Sequence, residues 1–421
     1  MNEQIKQRIA QLNNGEVPNG YEKTEIGTFP VGWKTTTLDK LLEFKNGVNA
    51  DKEKYNSGVK MISVMDILSD SPIYYDKIKG QVDIDEKTLD TYSVTYGDIL
   101  FQRSSETFED AGKSNVYLDK DRTATYSGFV IRGKKKSDYN PYFLNEALRI
   151  GQVRNQIIRN AAGSQHINVG QDSLAKIIVP LASDVEQSNI AEILMKWDEA
   201  IELQEQYIQI LLSMKITYVD KFFCAQGEEK TKFDLLYKTA GEGGTPDTKK
   251  QAYYDSEDVP FVKIEHLAEK YITKIDSYIS NLGLQKSSAW LVPENCLIFS
   301  NGATIGEASI NKIPVATKQG ILGIVPSNVI DVEYFYYLVK SKYFLSKVKK
   351  ITTKGTMCTA YLKDINRLSL FIHEKEDQIK IAKILSSIDC LIEAEKRKVD
   401  LLKKQRTTLQ QYLLNGIVRV K

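Results

Sequence analysis

Apolar side chains recur in a 4-then-3 register at Ile190, Leu194, Trp197, Ile201, Gln204, Ile208, Leu211, Lys215, Tyr218 and Phe222, with no Pro or Gly between them. The same register returns 191 residues later at Ile381, Leu385, Ile388, Ile392, Glu395, Val399, Leu402, Arg406, Leu409 and Leu413, and the two polar exceptions fall at the same places. Heptads of this kind predict a coiled-coil seam in which polar members set register. Each run, Glu186 to Phe222 and its copy, predicts a helix of about 37 residues, roughly 55 Å long. A globule separates the two, so the second helix can return antiparallel to the first. The arrangement expected is a pseudo-two-fold pair with a globule at each end. Gln204 and Glu395 would then meet near the axis, with Lys215 and Arg406 towards opposite ends. The alternative is that all four polar residues tilt out to solvent.

Shorter patterns fill the rest of the chain. Ile5, Ile9 and Leu12 share one face of a short helix, and Asn13 to Gly32 is rich in turn formers. Strand-like runs follow at Lys60–Val64, Asp98–Phe101, Phe129–Ile131 and Lys176–Val179. Asn140 before Pro141 predicts an N-cap and a helix to about Arg159. The plan then repeats: Phe261–Ile264 corresponds to the strand around Ile62, Cys296–Phe299 to Asp98–Phe101, and Asp331 to Asn140. A glycine loop (Gly163–His166, Gly355–Cys358) precedes an aspartate, a strand and a long helix in each half. The boundaries expected are 1–185 for the arm and first globule, 186–226 for the central helix, 227–375 for the second globule and 376–421 for the C-terminal helix. The fold class is α+β: two similar mixed α/β domains joined by two long antiparallel helices. A repeat this long signals duplication of a module and not a solenoid.

Composition narrows the function. At 421 residues, 42% apolar and 27% charged, the chain is an ordinary multi-domain globular protein. The net charge of +2 carries no message by itself. Cys224, Cys296, Cys358 and Cys390 stand far apart, in no zinc or disulfide pattern, and no apolar run is long enough to span a membrane. A reducing cytoplasm is the expected location.

Enzyme motifs fail on inspection. Ala111-Gly112-Lys113-Ser114 resembles the end of a phosphate loop but has Thr107 where the first glycine belongs, and is taken as a surface turn. Asn140-Pro141-Tyr142-Phe143 lacks the second proline of the amino-methyltransferase motif. No glycine-rich strand-to-helix loop is available for a methyl donor. The acidic residues near Asp70 and Asp85 make no argument for a metal site, and the three histidines are scattered. No catalytic and no metal-binding residue is assigned.

Basic residues are concentrated by position. There are 11 Lys/Arg against 7 Asp/Glu between Phe101 and Gln165, and 10 against 4 between Ser300 and Leu370. Such clusters neutralise phosphates, while Arg, Gln, Asn and similar side chains read bases. The DNA-contact candidates are Gln102, Arg103, Arg154, Arg159, Ser164, Gln165 and His166 in the first half. In the second they are Ser300, Asn301, Thr304, Lys349, Lys350, Lys354 and Thr356. Solvated loop polars are the competing reading for any one of them; recurrence in both halves favours the functional one.

Together these features resemble the DNA-specificity subunits of type I restriction–modification systems. The matching residues are Tyr21-Glu22-Lys23-Thr24-Glu25-Ile26-Gly27 with Pro30, Trp33 and Leu38; Gly97-Asp98-Ile99-Leu100-Phe101; Gly243-Gly244-Thr245-Pro246; and Thr304-Ile305-Gly306. Most specific are Glu186-Gln187 with Ile190-Ala191, Ile193-Leu194, Asp198 and Ile201. Their counterparts are Asp377-Gln378 with Ile381-Ala382, Ile384-Leu385, Asp389 and Ile392, and Leu413-Leu414-Asn415-Gly416 follows. The second half lacks an evident Pro30-to-Trp33 counterpart. The resemblance implies two target recognition domains that read a bipartite, asymmetric site on double-stranded DNA. It implies docking of two methyltransferase subunits and of restriction subunits. It also implies no catalysis by this chain, with S-adenosylmethionine, ATP and Mg held by the partners. The alternative is a self-contained methyltransferase or nuclease. The purified chain alone should therefore bind no S-adenosylmethionine by calorimetry, and methylation should appear only when a methyltransferase partner is added. Binding by the lone chain would establish the self-contained enzyme.

Overall fold

Both heptad runs are helical from end to end. Asp184–Phe222 has 39 residues and Lys375–Leu414 has 40, about 60 Å each at 1.5 Å per residue. The structure, a computed structural model, describes residues 3–163, 165–224, 230–302, 304–353 and 358–420. Of the seam residues, Ile190, Leu194, Ile201, Ile208, Leu211, Ile381, Leu385, Ile392 and Val399 are buried. Trp197, Ile388 and Leu402 are half-buried. Two compact units emerge, Met1–Gln204 with Lys398–Lys421, and Glu205–Arg397. Each long helix is therefore divided between the units, and 186–226 and 376–421 are not bodies of their own.

In the first unit a four-stranded antiparallel sheet runs in the order Leu42–Asn46, Val130–Lys135, Ile99–Gln102, Ser114–Val116. A second sheet pairs Thr125–Tyr126 parallel to Tyr55–Ile62, which also takes Gln81–Val82. The second unit repeats the order with Tyr237–Glu242, Ile321–Pro326, Leu297–Ser300 and Ala308–Asn311, and adds Tyr271–Ile272 at the edge. Its second sheet holds Val259–Val262 parallel to Val315–Thr317, so Val262 stands where Ile62 does. The strand expected at Lys60–Val64 ends at Ile62, because Ser63 accepts the role of N-cap for a short helix, Val64–Ile67.

The caps read from sequence are present. The Asn140 Oδ1 accepts from Phe143 N at 3.0 Å, and Asp331 Oδ1 accepts from Tyr334 N at 3.0 Å. The helix expected from Pro141 to Arg159 is instead two, Pro141–Ala147 and Gly151–Arg159. Ile150 is extended between them, so the second piece turns over the core. The second unit breaks in the same way at Ser341, whose Oγ caps Lys342–Ile351. At the start of the central strand, Gly97 and Asn295 occupy the left-handed region in the two units, at φ 92° and 58°. A side chain at Gly97 would collide with Lys135.

The long helices are tied to the sheets by the glutamines of the Glu-Gln and Asp-Gln pairs. The Gln187 Oε1 accepts from Asn140 N at 2.9 Å while its Nε2 donates to Ala182 O at 2.9 Å. The Gln378 side chain does the same with Asp331 N at 2.8 Å and His373 O at 2.9 Å. One residue thus fixes where the cap of the core helix meets the long helix.

Lys215 and Arg406 do not tilt to solvent. In the first unit Arg406 binds Asp198 (2.8 Å) and Glu146 (2.7 Å), and donates to the Tyr142 hydroxyl, which itself donates to Asp198. In the second unit Lys215 binds Asp389 at 2.6 Å, and the Tyr337 hydroxyl donates to Asp389. Asp198 and Asp389, like Lys215 and Arg406, are 191 residues apart, so one pair is built twice. With Glu186 meeting Arg419 and Asp198 meeting Arg406, the helix segments of the first unit run antiparallel.

The chain ends are gathered at the same place. Arg419 binds Glu186 at 2.6 Å, the Trp33 indole donates to Glu186 at 2.9 Å, and Tyr21 and Arg8 donate to the carbonyls of Gly416 and Ile417. Phe29, Trp33, Leu413 and Leu414 share one core with Ile190 and Leu194.

The Arg406 side chain is 11% exposed and that of Glu146 1%, so Arg406→Leu should cost about 3–5 kcal/mol in urea unfolding. Lys215→Met should cost less, because its pair is 27% and 21% exposed; equal losses would mean burial does not set the strength of the two pairs. Burial raises the Glu186 pKa, but Arg419 and Trp33 outweigh it and hold the carboxyl below its ordinary 4.5. A depressed folded value makes this contact fully stabilising above pH 4.5 and lost as pH falls through the folded value. The stability gap between the natural chain and Arg419→Gln should accordingly be largest near neutrality and close in acid. A gap independent of pH would show that the ion pair is not its source.

Candidate nucleic-acid interface

Four loops of the first unit converge on one edge of its main sheet. Past the strand Ile99–Gln102, Arg103 N donates to Phe129 O at 2.9 Å and Arg103 O accepts from Val169 N at 3.0 Å. Ser104 and Ser105 pair with Asn168 and Ile167, and Val48 bridges Ser127. The loops at 47–50, 103–109, 127–129 and 165–168 are thereby neighbours.

The second unit builds the same edge. Asn301 N donates to Gly320 O at 3.1 Å, Asn301 O accepts from Ala360 N at 2.9 Å, and Gly243 N donates to Ile321 O at 2.9 Å. Gly243 has a counterpart in Gly47: a Cβ on either would lie 1.9 Å or 2.1 Å from the carbonyl oxygen of Thr317 or Ser127. Only glycine permits this approach, which is how the loop reaches the edge.

The candidates fare unequally there. Gln165, His166, Thr304, Lys349, Lys350 and Arg159 are exposed, and Arg103 is partly exposed with Nη1 donating to Gly128 O at 3.3 Å. Arg159 ends the helix Gly151–Arg159, and Lys349 and Lys350 lie in the last turn of Lys342–Ile351. Both helices run towards this edge. Ser164, Lys354 and Thr356 lie outside the described residues.

Four candidates are corrected. Gln102, Ser300 and Asn301 are 5%, 1% and 0% exposed. The returning segments around 168 and 360 close over the strand ends, so these side chains face inward and not a ligand. The Gln102 Nε2 donates to Ser104 O at 2.9 Å and the Asn301 Nδ2 to Ala360 O at 3.2 Å. Arg154 donates to the carbonyls of Glu109 and Ala111, and burial lowers its pKa. It braces a loop.

Residues passed over in the sequence also stand on the edge. Asn49, Phe129 and Asn168 are exposed in the first unit, and Thr245, Lys318 and Gln319 in the second. Phe129 was assigned to a strand, but the strand begins at Val130. Ser127-Gly128 was the available turn signal.

Among the described residues no group of three or more His, Cys, Asp or Glu is placed to hold a metal ion. A depression of about 300 Å³ includes Gly112, Lys113, Ser114, Arg149 and Arg154. Gly112 sits in the left-handed region at φ 64° and a Cβ on it would meet Ile157 at 2.6 Å, and Ser114 opens a strand, not a helix. The phosphate-loop geometry is therefore missing. Buried Asp98, whose pKa is raised by burial, accepts from Thr95 N and Lys135 N and is structural. No helix among the described residues is long and apolar enough to cross a membrane.

Comparison with known proteins agrees with this picture. Residues 30–212 and 234–404 each match the family model of the type I restriction modification DNA specificity domain. A protein of Methanocaldococcus jannaschii assigned as the MjaX specificity subunit of a type I restriction enzyme is 26% identical, covering 95% of this chain and 97% of its own. The MjaIX specificity subunit of the same organism is 22% identical over 95% and 96%. The S subunit from M. genitalium has a similar fold, with TM-score 0.52, 16% identity, and 94% and 97% of the chains covered. So does a chain from work on complex assembly and conformational transition of the type I R-M system, with TM-score 0.63, 14% identity, and 93% and 99% covered. Two matched specificity domains spanning most of the sequence make this chain a member of the type I restriction–modification DNA-specificity family, a non-catalytic subunit that recognises DNA sequence.

Proposed function

We propose that each unit reads one half of a split, asymmetric site on double-stranded DNA, and that the paired helices set the distance between the halves. One observation carries this reading: the same edge is built twice with different side chains. Phe129 and Gly320 occupy one position, and exposed Asn49 and Thr245 another. A common scaffold with different surface chemistry suits two different base sequences. Exposed Arg159, Lys349 and Lys350 beside the edges supply phosphate contacts, which hold without specifying.

The remaining parts of the reading concern partners. Two methyltransferase subunits dock on the chain and bind S-adenosylmethionine, and restriction subunits bring ATP and Mg-dependent cleavage, all in the cytoplasm. The near-neutral charge of +2 fits partners that share the grip on DNA. The helices, at about 60 Å, are long enough to hold readers one DNA turn of about 34–36 Å or slightly more apart.

Exchanging residues 227–374 for those of a relative should change one half of the site in methylation maps of cells carrying the assembled system; changes in both halves would refute independent reading. Inserting four residues, about one helical turn, into 186–222 should alter the spacer and leave both halves intact. An unchanged spacer would end the ruler idea. Lys349→Gln with Lys350→Gln should reduce the slope of log K against log salt by up to about 0.9 per lost phosphate contact, without altering the methylated sequence. A changed sequence would place those lysines among the base readers.

A further inference from the structure

Phe129 is 66% exposed on the edge described above, yet its backbone is held on every side. Val130 N donates to Ser127 O at 2.9 Å and closes the turn, Ser127 N donates to Ile62 O at 3.0 Å, and Arg103 N donates to Phe129 O at 2.9 Å. Gly128 lies directly against the Asn49 side chain: a Cβ there would be 1.8 Å from Asn49 Oδ1. A single exposed apolar side chain is common and proves nothing. This one is presented rigidly among Asn49, Arg103, Ser104 and Asn168, side chains that carry hydrogen-bonding groups.

We propose that Phe129 is a specificity-determining residue whose ring contacts the 5-methyl group of a thymine in the half-site read by the first unit. The proposal rests on the reading of the two units given above. Base pairs offer the major groove donors, acceptors and one apolar group, the thymine methyl. Hydrogen-bonding neighbours can address the donors and acceptors; an apolar ring between them has only the methyl to address. A wedge driven between stacked bases requires the ring to enter the helix, and a turn tied at these points cannot follow it. The second unit has Gly320 at this position, at φ 85°, so it lacks this contact.

The test uses the complete subunit assembled with its methyltransferase partners and the site first mapped by methylation. Each thymine of the mapped site is replaced in turn by uracil, which removes only the methyl. For the natural subunit, one position in the first unit's half should weaken binding roughly five- to tenfold. Phe129→Ala should bind the thymine and uracil duplexes equally, and Phe129→Leu should retain part of the discrimination. The thermal midpoint of the alanine variant should be unchanged, since the ring supports no core. A thymine-to-uracil ratio unaltered by Phe129→Ala, or no sensitive thymine in that half, overturns the proposal. Failure of the natural assembly to bind any bipartite duplex overturns the reading of the two units and this contact with it.

Discussion

An aspartate on one long helix held by a cation on the other is the constraint on which the rest depends. Asp198 with Arg406, and Asp389 with Lys215, are buried or half-buried ion pairs at the seam. Ion pairs removed from water gain little net stability over apolar packing, but an unmatched charge there is expensive. An apolar seam by itself admits slips of one helix past the other by whole heptads. Such a slip would part Arg406 from Glu146 and Asp198, which it meets in this register. The polar members of the heptads therefore choose one register among several that the apolar members permit.

Register matters because the domains hang from it. Tyr142 and Tyr337 connect the ion pairs to the first core helix of each unit, and Gln187 and Gln378 hold the N-cap of that helix. The same core helix packs on the main sheet, whose central strand leads straight to the edge where the loops gather. A rigid line of contacts thus runs from seam to cap to sheet to loop within each unit. The first pair is the more deeply buried and uses arginine, whose planar fork serves Asp198, Glu146 and Tyr142 together. Lysine suffices where only Asp389 must be met.

Scaffold and readout are separated by residue type. Gly47 and Gly243, Gly97 and Asn295, Gln187 and Gln378 recur because backbone geometry demands them. At the edge the two units diverge, as at exposed Phe129 against Gly320 and Asn49 against Thr245. Duplication with change at exposed loop positions such as 49 and 129 gives two different surfaces on one architecture.

The heptads and the caps at Asn140 and Asp331 were legible from the chain alone, because each depends on residues within a turn or two of one another, and the 191-residue repeat because the two halves carry the same local patterns. Burial of Gln102, Ser300 and Asn301 was not legible. It follows from segments about 60 residues away folding back over the strand ends. The partner of Arg406, 208 residues away, was likewise invisible, as was the exposure of Phe129, whose neighbours read as a strand. Sequence by itself determined the helices, the duplication and the family, since periodicity and local hydrogen bonding are written along the chain. Tertiary structure alone decided which polar side chains face outward to a ligand and which are consumed inside. That choice is made by long-range closure, where burial leaves a side chain no access to anything but its own fold.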